Sequence, residues 1–169
     1  MGYEASMKKI LVILMFLVPL AAAADSPTAL GPNQGKFGNW TAATYGHGSG
    51  KICYAFTDAQ TSNPSIAGRG AVMLTVTKRP GAQHEVTLSA GYTYPPHAKV
   101  VLNIGNLSIP FYTKGQTAFT TEGESAISAF KIGAVAQAQS TGPQGHSVND
   151  DFSLTGFSDS YAAITAACP

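Results

Sequence analysis

The sequence predicts an all-β domain, an antiparallel β-sandwich decorated by one or two short helices. Three observations predict it. Apolar and polar residues alternate with the period of a half-buried strand over several short stretches. Turn-forming Gly, Pro, Asn and Ser clusters punctuate the chain about every ten residues. Apolar residues recur at helical spacing in only two segments, 122–131 and 158–167.

The elements follow in order. Residues 25–36 are rich in Pro, Gly, Ser and Asn and read as a flexible leader. From Phe37 onward the pattern is mostly strand. Val72, Leu74 and Val76 alternate with Met73, Thr75 and Thr77, and Val86, Leu88 and Ala90 alternate with Glu85, Thr87 and Ser89. Arg79-Pro80-Gly81-Ala82 between them is a turn signal, so residues 70–92 form a hairpin. Val100, Leu102 and Ile104 lead through Gly105-Asn106 into Leu107–Tyr112. A Gly-first pair suits a type II′ turn, whose twist matches the flanking strands. Segment 122–131 has acids early, Lys131 late and an apolar stripe of Ala126, Ile127, Ala129 and Phe130, the charge order that a helix dipole favours. In segment 158–167, Tyr161, Ile164 and Ala167 or Cys168 share one helical face, and Ser158 or Asp159 is positioned to cap it. Val135–Ser140 and Val148–Leu154 read as strands joined by a loop through Pro143.

The N-terminus carries an export signal. Lys8-Lys9 precede the apolar run Ile10–Leu20, and Ala21–Ala24 offer small residues for cleavage, with Met1 or Met7 as the start. The run is shorter than the ~20 residues a spanning helix needs, and no later stretch suits a transmembrane segment. Residues 1–24 are therefore read as a signal peptide and residues 37–169 as one domain. The expected location is the periplasm or cell envelope, or outside the cell. Beyond residue 24 stand eight of the ten Lys and Arg and eight of the nine acids. That balance offers no basic face for nucleic acid. Charged residues make up 11% of the chain, against about a quarter in a typical domain, so Ser, Thr, Gln and Asn supply the polar surface.

Cys53 and Cys168 are the only cysteines, and an exported chain with two cysteines allows one intramolecular disulfide. Closing a loop of about 115 residues stabilises by at most ~4–5 kcal/mol in the loop-entropy account. The bridge staples the chain's end, after the last helix, onto an early strand. No CxxC centre is present, so thiol exchange is not indicated.

Catalytic patterns are incomplete. Gly46–Lys51 resembles a phosphate loop, but its spacing is wrong and Ile52 replaces the required Ser or Thr. Ser128 and Lys131 match an S-x-x-K spacing without the companion S-D-N and K-T-G elements. His47, His84, His97 and His146 sit in or beside turns, with no pair at ligand spacing. Asp150-Asp151 reads as solvated carboxylates before a strand, with a hard-cation site as the sharper alternative. Trp40 reads as a core anchor, with an exposed ligand-binding ring as its sharper alternative. No catalytic, cofactor-binding or metal residues are assigned.

Taken together, Phe37-Gly38-Asn39-Trp40, Lys51-Ile52-Cys53-Tyr54-Ala55, Arg69-Gly70 and Val76-Thr77-Lys78-Arg79-Pro80 resemble the invasion-associated locus B family of bacteria. The resemblance continues through Glu85-Val86, Ala90-Gly91-Tyr92, Phe111–Ala118 and Phe152–Ser158, and ends in Ala167-Cys168-Pro169. It implies a periplasmic or envelope protein with an immunoglobulin-like β-sandwich, and a family for which no enzymatic reaction is established. The chain departs from the family pattern at Gln83 and His84, at Lys114, Gln116 and Phe119, and in the loop before Asp150. The resulting expectation is a non-catalytic scaffold or binding module for an unknown protein, envelope or host-surface partner. A periplasmic small-molecule or metal-binding module is the alternative, and a hydrolase built on Ser128 and Lys131 a third.

Overall fold

A computed structural model describes residues 26–81 and 84–169; the segment read as a signal peptide, residues 1–24, lies outside them. The strands are β1 (Thr28–Ala29), β2 (Lys36–Phe37), β3 (Trp40–Tyr45), β4 (Ile52–Asp58), β5 (Thr61–Asn63), β6 (Met73–Lys78), β7 (Glu85–Ser89), β8 (Val100–Ile104), β9 (Leu107–Lys114), β10 (Thr117–Phe119), β11 (Val135–Thr141) and β12 (Ser147–Ser153). One distorted turn, α1 (Pro32–Gly35), and two regular helices, α2 (Gly123–Ile132) and α3 (Phe157–Ala167), accompany them. Within the stretch read as a leader, Thr28 and Ala29 pair with Thr44 and Ala43, and Lys36 pairs with Thr41.

Every strand pair is antiparallel, and the hydrogen bonds run in one open path, β1-β3-β4-β6-β7-β10-β9-β8-β11-β12-β5, with β2 beside β3. The mainly β, antiparallel class is therefore as the sequence predicts. The pairing does not divide the strands into the two separate sheets of a sandwich. Two features explain why. β9 changes partner along its length, pairing through Leu107–Phe111 with β8 and through Tyr112–Lys114 with β10. The chain of β4 also continues after Ala59-Gln60 into β5, at the other end of the path. The sheet thus rolls on itself, and the Trp40 indole on β3 donates to the Ser153 carbonyl on β12 across the interior at 2.9 Å.

Alternation puts one row of each strand inside. Ala55, Val76 and Val86 are paired in register and buried, as are Leu74, Leu88 and Ala118. The β6–β7 hairpin and the β8–β9 turn form as predicted, with Gly105 at φ +56, the sign a type II′ turn requires at its first central residue. α2 buries the predicted stripe Ala126, Ile127, Ala129 and Phe130. α3 begins one residue earlier than predicted. Its N-cap is Gly156 at φ +90 rather than Ser158 or Asp159, and a Cβ at Gly156 would collide with the Phe37 carbonyl oxygen, so only glycine fits there.

Candidate functional site

The two regular helices meet the sheet around Trp40. Its ring lies 4.8 Å from Phe157 in an edge-on contact and 6.3 Å from Phe130, and all three rings are buried. Trp40 is thus the core anchor and not an exposed ligand ring. Cys53 of β4 is bonded to Cys168, which follows α3, and both are fully buried. Lys51 Nζ donates to the Ala167 carbonyl at 2.7 Å, adding a second tie between the chain's end and β4. Trp40, Cys53 and Cys168 all belong to the buried core.

A second buried centre is polar. Asp150 lies within β12, not before it, and its side chain is 2% exposed. Arg69, from the loop between β5 and β6, grips both of its oxygens at 2.8 and 2.7 Å and is itself 6% exposed. The remaining Arg69 Nε donates to the Ala90 carbonyl at 2.7 Å, and the guanidinium lies 4.9 Å from the Tyr92 ring centre. Ser62 donates to Asp150 at 2.7 Å, and Tyr92 meets Ser140 at 3.0 Å. The neighbouring Asp151 accepts from Thr61 and Gln137. The reading of Asp150-Asp151 as solvated carboxylates before a strand is therefore corrected. The strand's pleat turns Asp150 inward, where the planar Arg69 fork matches both oxygens of the buried carboxylate. Beside this centre the Tyr94 hydroxyl is buried without a partner, and burial holds its pKa far above the ordinary phenol value.

A third cluster joins α2 and α3. His84 Nδ1 lies 2.7 Å from Glu124 and its Nε2 lies 3.0 Å from the Tyr161 hydroxyl. The order carboxylate–imidazole–hydroxyl has the outline of a nucleophilic triad. Desolvation raises the Tyr161 pKa, so its hydroxyl carries its proton in this cluster. The Lys131 ammonium lies over the same Tyr161 ring at 4.6 Å. Ser128 instead faces the groove described next, so the S-x-x-K pair points into different surroundings. Among the described residues no group of three or more His, Cys, Asp and Glu comes together. His146 borders a small recess with Pro64, Ile66 and Pro143, and His97 takes a left-handed conformation at φ +59.

An apolar groove of about 490 Å³ lies between α2 and the β8–β9 turn, walled by Ile104, Leu107, Ala129 and Ile132 with Ser125 and Asn106 beside them. Ile132 ends α2 off its buried stripe and is 89% exposed, with Leu107 at 38%. No helix among the described residues is long and apolar enough to cross a membrane.

No family model matches the chain, and no curated protein matches it. Among solved structures, invasion associated protein B from Bartonella henselae superposes with a TM-score of 0.58 at 15% identity, over 78% of this chain and 95% of that one. The chain shares the fold of invasion associated protein B. The fold that the sequence resemblance points to is thus the one the structural likeness shows. At this identity the likeness speaks to the backbone path alone, and the side-chain centres above belong to this chain.

Sequence reading found Cys53, Cys168 and Trp40 but missed Arg69 as a functional partner of Asp150. Arg69 and Arg79 are the only arginines, which is the one available signal. Ile132 was legible only as an apolar residue off the helical stripe.

Proposed function

We propose that the chain is an exported, non-catalytic scaffold of the bacterial envelope that binds a protein partner through the groove beside Ile132. One observation carries this reading. Ile132 stands almost fully exposed at the end of a helix, next to an apolar depression with a polar rim. Isolated surface apolar residues are ordinary, but one that borders a groove has the layout of an anchor site, an apolar centre ringed by hydrogen-bonding groups. The Cys53–Cys168 bond fits an oxidising compartment, as the export signal implies. The immunoglobulin-like sandwich remains what the resemblance implies, beside a pairing that runs in one open sheet. Crosslinking in intact envelopes tests the reading. A partner crosslinked to the wild type and lost with Ile132→Asp, at unchanged thermal stability, supports it. A crosslinking pattern indifferent to Ile132→Asp overturns it.

A further inference from the structure

We propose that the outer face of the β3-β4-β6-β7-β10-β9 portion of the sheet is a binding surface for an uncharged polysaccharide, the N-acetylated β-1,4-linked strand of the bacterial cell wall. The choice of cell wall rests on the envelope location proposed above; the surface itself is separate from the Ile132 groove.

The registers define the face. Thr41 is paired with Phe56, Phe56 with Thr75, Thr75 with Thr87, Thr87 with Phe119, and Phe119 with Tyr112. Directly paired residues project from the same side of a sheet, so these form one straight row across the strands. Their inward neighbours Ala55, Leu74, Val76, Val86, Leu88 and Ala118 are buried, which fixes the row as outward. The two regular helices pack on the opposite face, since α3 contributes the ring that meets Trp40 and α2 lies against Val86.

The chemistry of the row is unusual for an exposed face. Two aromatic pairs flank a lane of threonines. Tyr54 and Phe56 stack at one side with ring centres 6.1 Å apart, and Tyr112 and Phe119 stack at the other at 5.6 Å. Tyr112 is 58% exposed, leaving its outer ring face open. Phe56 and Phe119 are separated by three strand spacings, on the order of 14 Å, the span of a short run of sugar rings. Between them Thr75 and Thr87 offer hydroxyls that both donate and accept. The row itself contains no charged residue; Glu85 adjoins Thr77, and Asp58 and Lys114 stand at opposite ends of the adjacent row.

That combination matches one kind of ligand. A pyranose presents C–H groups with slight positive charge to the negative face of an aromatic ring and hydroxyls or amides at its edges. Threonine hydroxyls satisfy those edges. Nucleic acid would demand a basic groove beside the rings, and an acidic polymer would demand cations along the lane. Neither is present on the row.

The probe is chitohexaose, which shares the backbone of the cell-wall strand, titrated into the purified protein by calorimetry and by the tyrosine chemical shifts. Binding is expected, with affinity about tenfold or more weaker for Tyr112→Ala, and weakened also by the isosteric Thr87→Val, whose fold has nothing to lose on an outer face. Ile132→Asp should leave it unchanged, so this inference and the groove reading fail separately. Absence of binding, binding indifferent to Tyr112→Ala and Thr87→Val, or the same dependence shown toward neutral phosphatidylcholine vesicles instead overturns it.

Discussion

The interior of this molecule has two unlike centres. Around Trp40, Phe130 and Phe157 the contacts are mostly ring on ring, with the Trp40 N–H to the Ser153 carbonyl as their one side-chain hydrogen bond, and a covalent bridge ties the chain's end to β4. Around Arg69 and Asp150 the contacts are directional, charged and almost dry, and they tie the β5–β12 edge to the β6–β7 hairpin. The first kind of centre loses stability in proportion to the volume removed. The second fails by a different rule, since removing one member leaves the other charge buried and unpaired. The difference teaches where the fold is tolerant. Rings of similar size can replace one another near Trp40, whereas Arg69 and Asp150 can only be changed together.

The largest effect is expected at the polar centre. Arg69→Met should cost about 3–5 kcal/mol, because Asp150 keeps Ser62 but loses both guanidinium bonds. The double replacement Arg69→Met with Asp150→Leu should recover most of that loss. Urea denaturation measures both, and a single variant within about 1 kcal/mol of wild type would break the contrast between the centres.

Next comes the bridge. Reducing Cys53–Cys168, which spans 115 residues, should lower stability by about 2–4 kcal/mol, below the full loop-entropy value. Native mass before and after reduction checks that the bond was present. Thermal unfolding with and without reductant reads the size. An unchanged melting temperature would mean that the aromatic packing alone holds the chain's end.

The smallest effect sharpens the polar side. Burial raises the Tyr94 pKa above its ordinary 10.0, and Tyr92 shifts the same way. Above pH 10 the unfolded chain releases a phenol proton that the folded chain retains, so stability is full below that pH and falls as pH rises. Tyr94→Phe removes one such group and an unpartnered hydroxyl. It should be neutral to about 1 kcal/mol stabilising at pH 7 and should blunt the alkaline loss. Melting temperatures at pH 7 and pH 11 test this, and a variant that melts lower at both would show that the hydroxyl has a partner.

The contrast between the centres is also a contrast in legibility. The apolar one was readable because a single Trp, two aromatic helix faces and two cysteines announce burial by residue type alone. The polar one was not. Asp150 beside Asp151 looks like a solvated pair until the pleat of β12 turns one inward, and Arg69 lies far from it in the chain. The same holds for His84, Glu124 and Tyr161, whose meeting depends on how α2 and α3 sit against the start of β7.

By itself the sequence determined the strands of the two central hairpins, the two regular helices, the turn at Gly105 and the only pairing open to the cysteines. Those are local matters, set by a period of two or nearly four, by turn chemistry and by counting. The tertiary structure alone decided that the strands join in one open, rolled sheet, that Asp150 faces inward to Arg69, and that threonines and rings line up across the outer face. Those outcomes depend on register and on hydrogen bonds between distant segments, which no local pattern encodes.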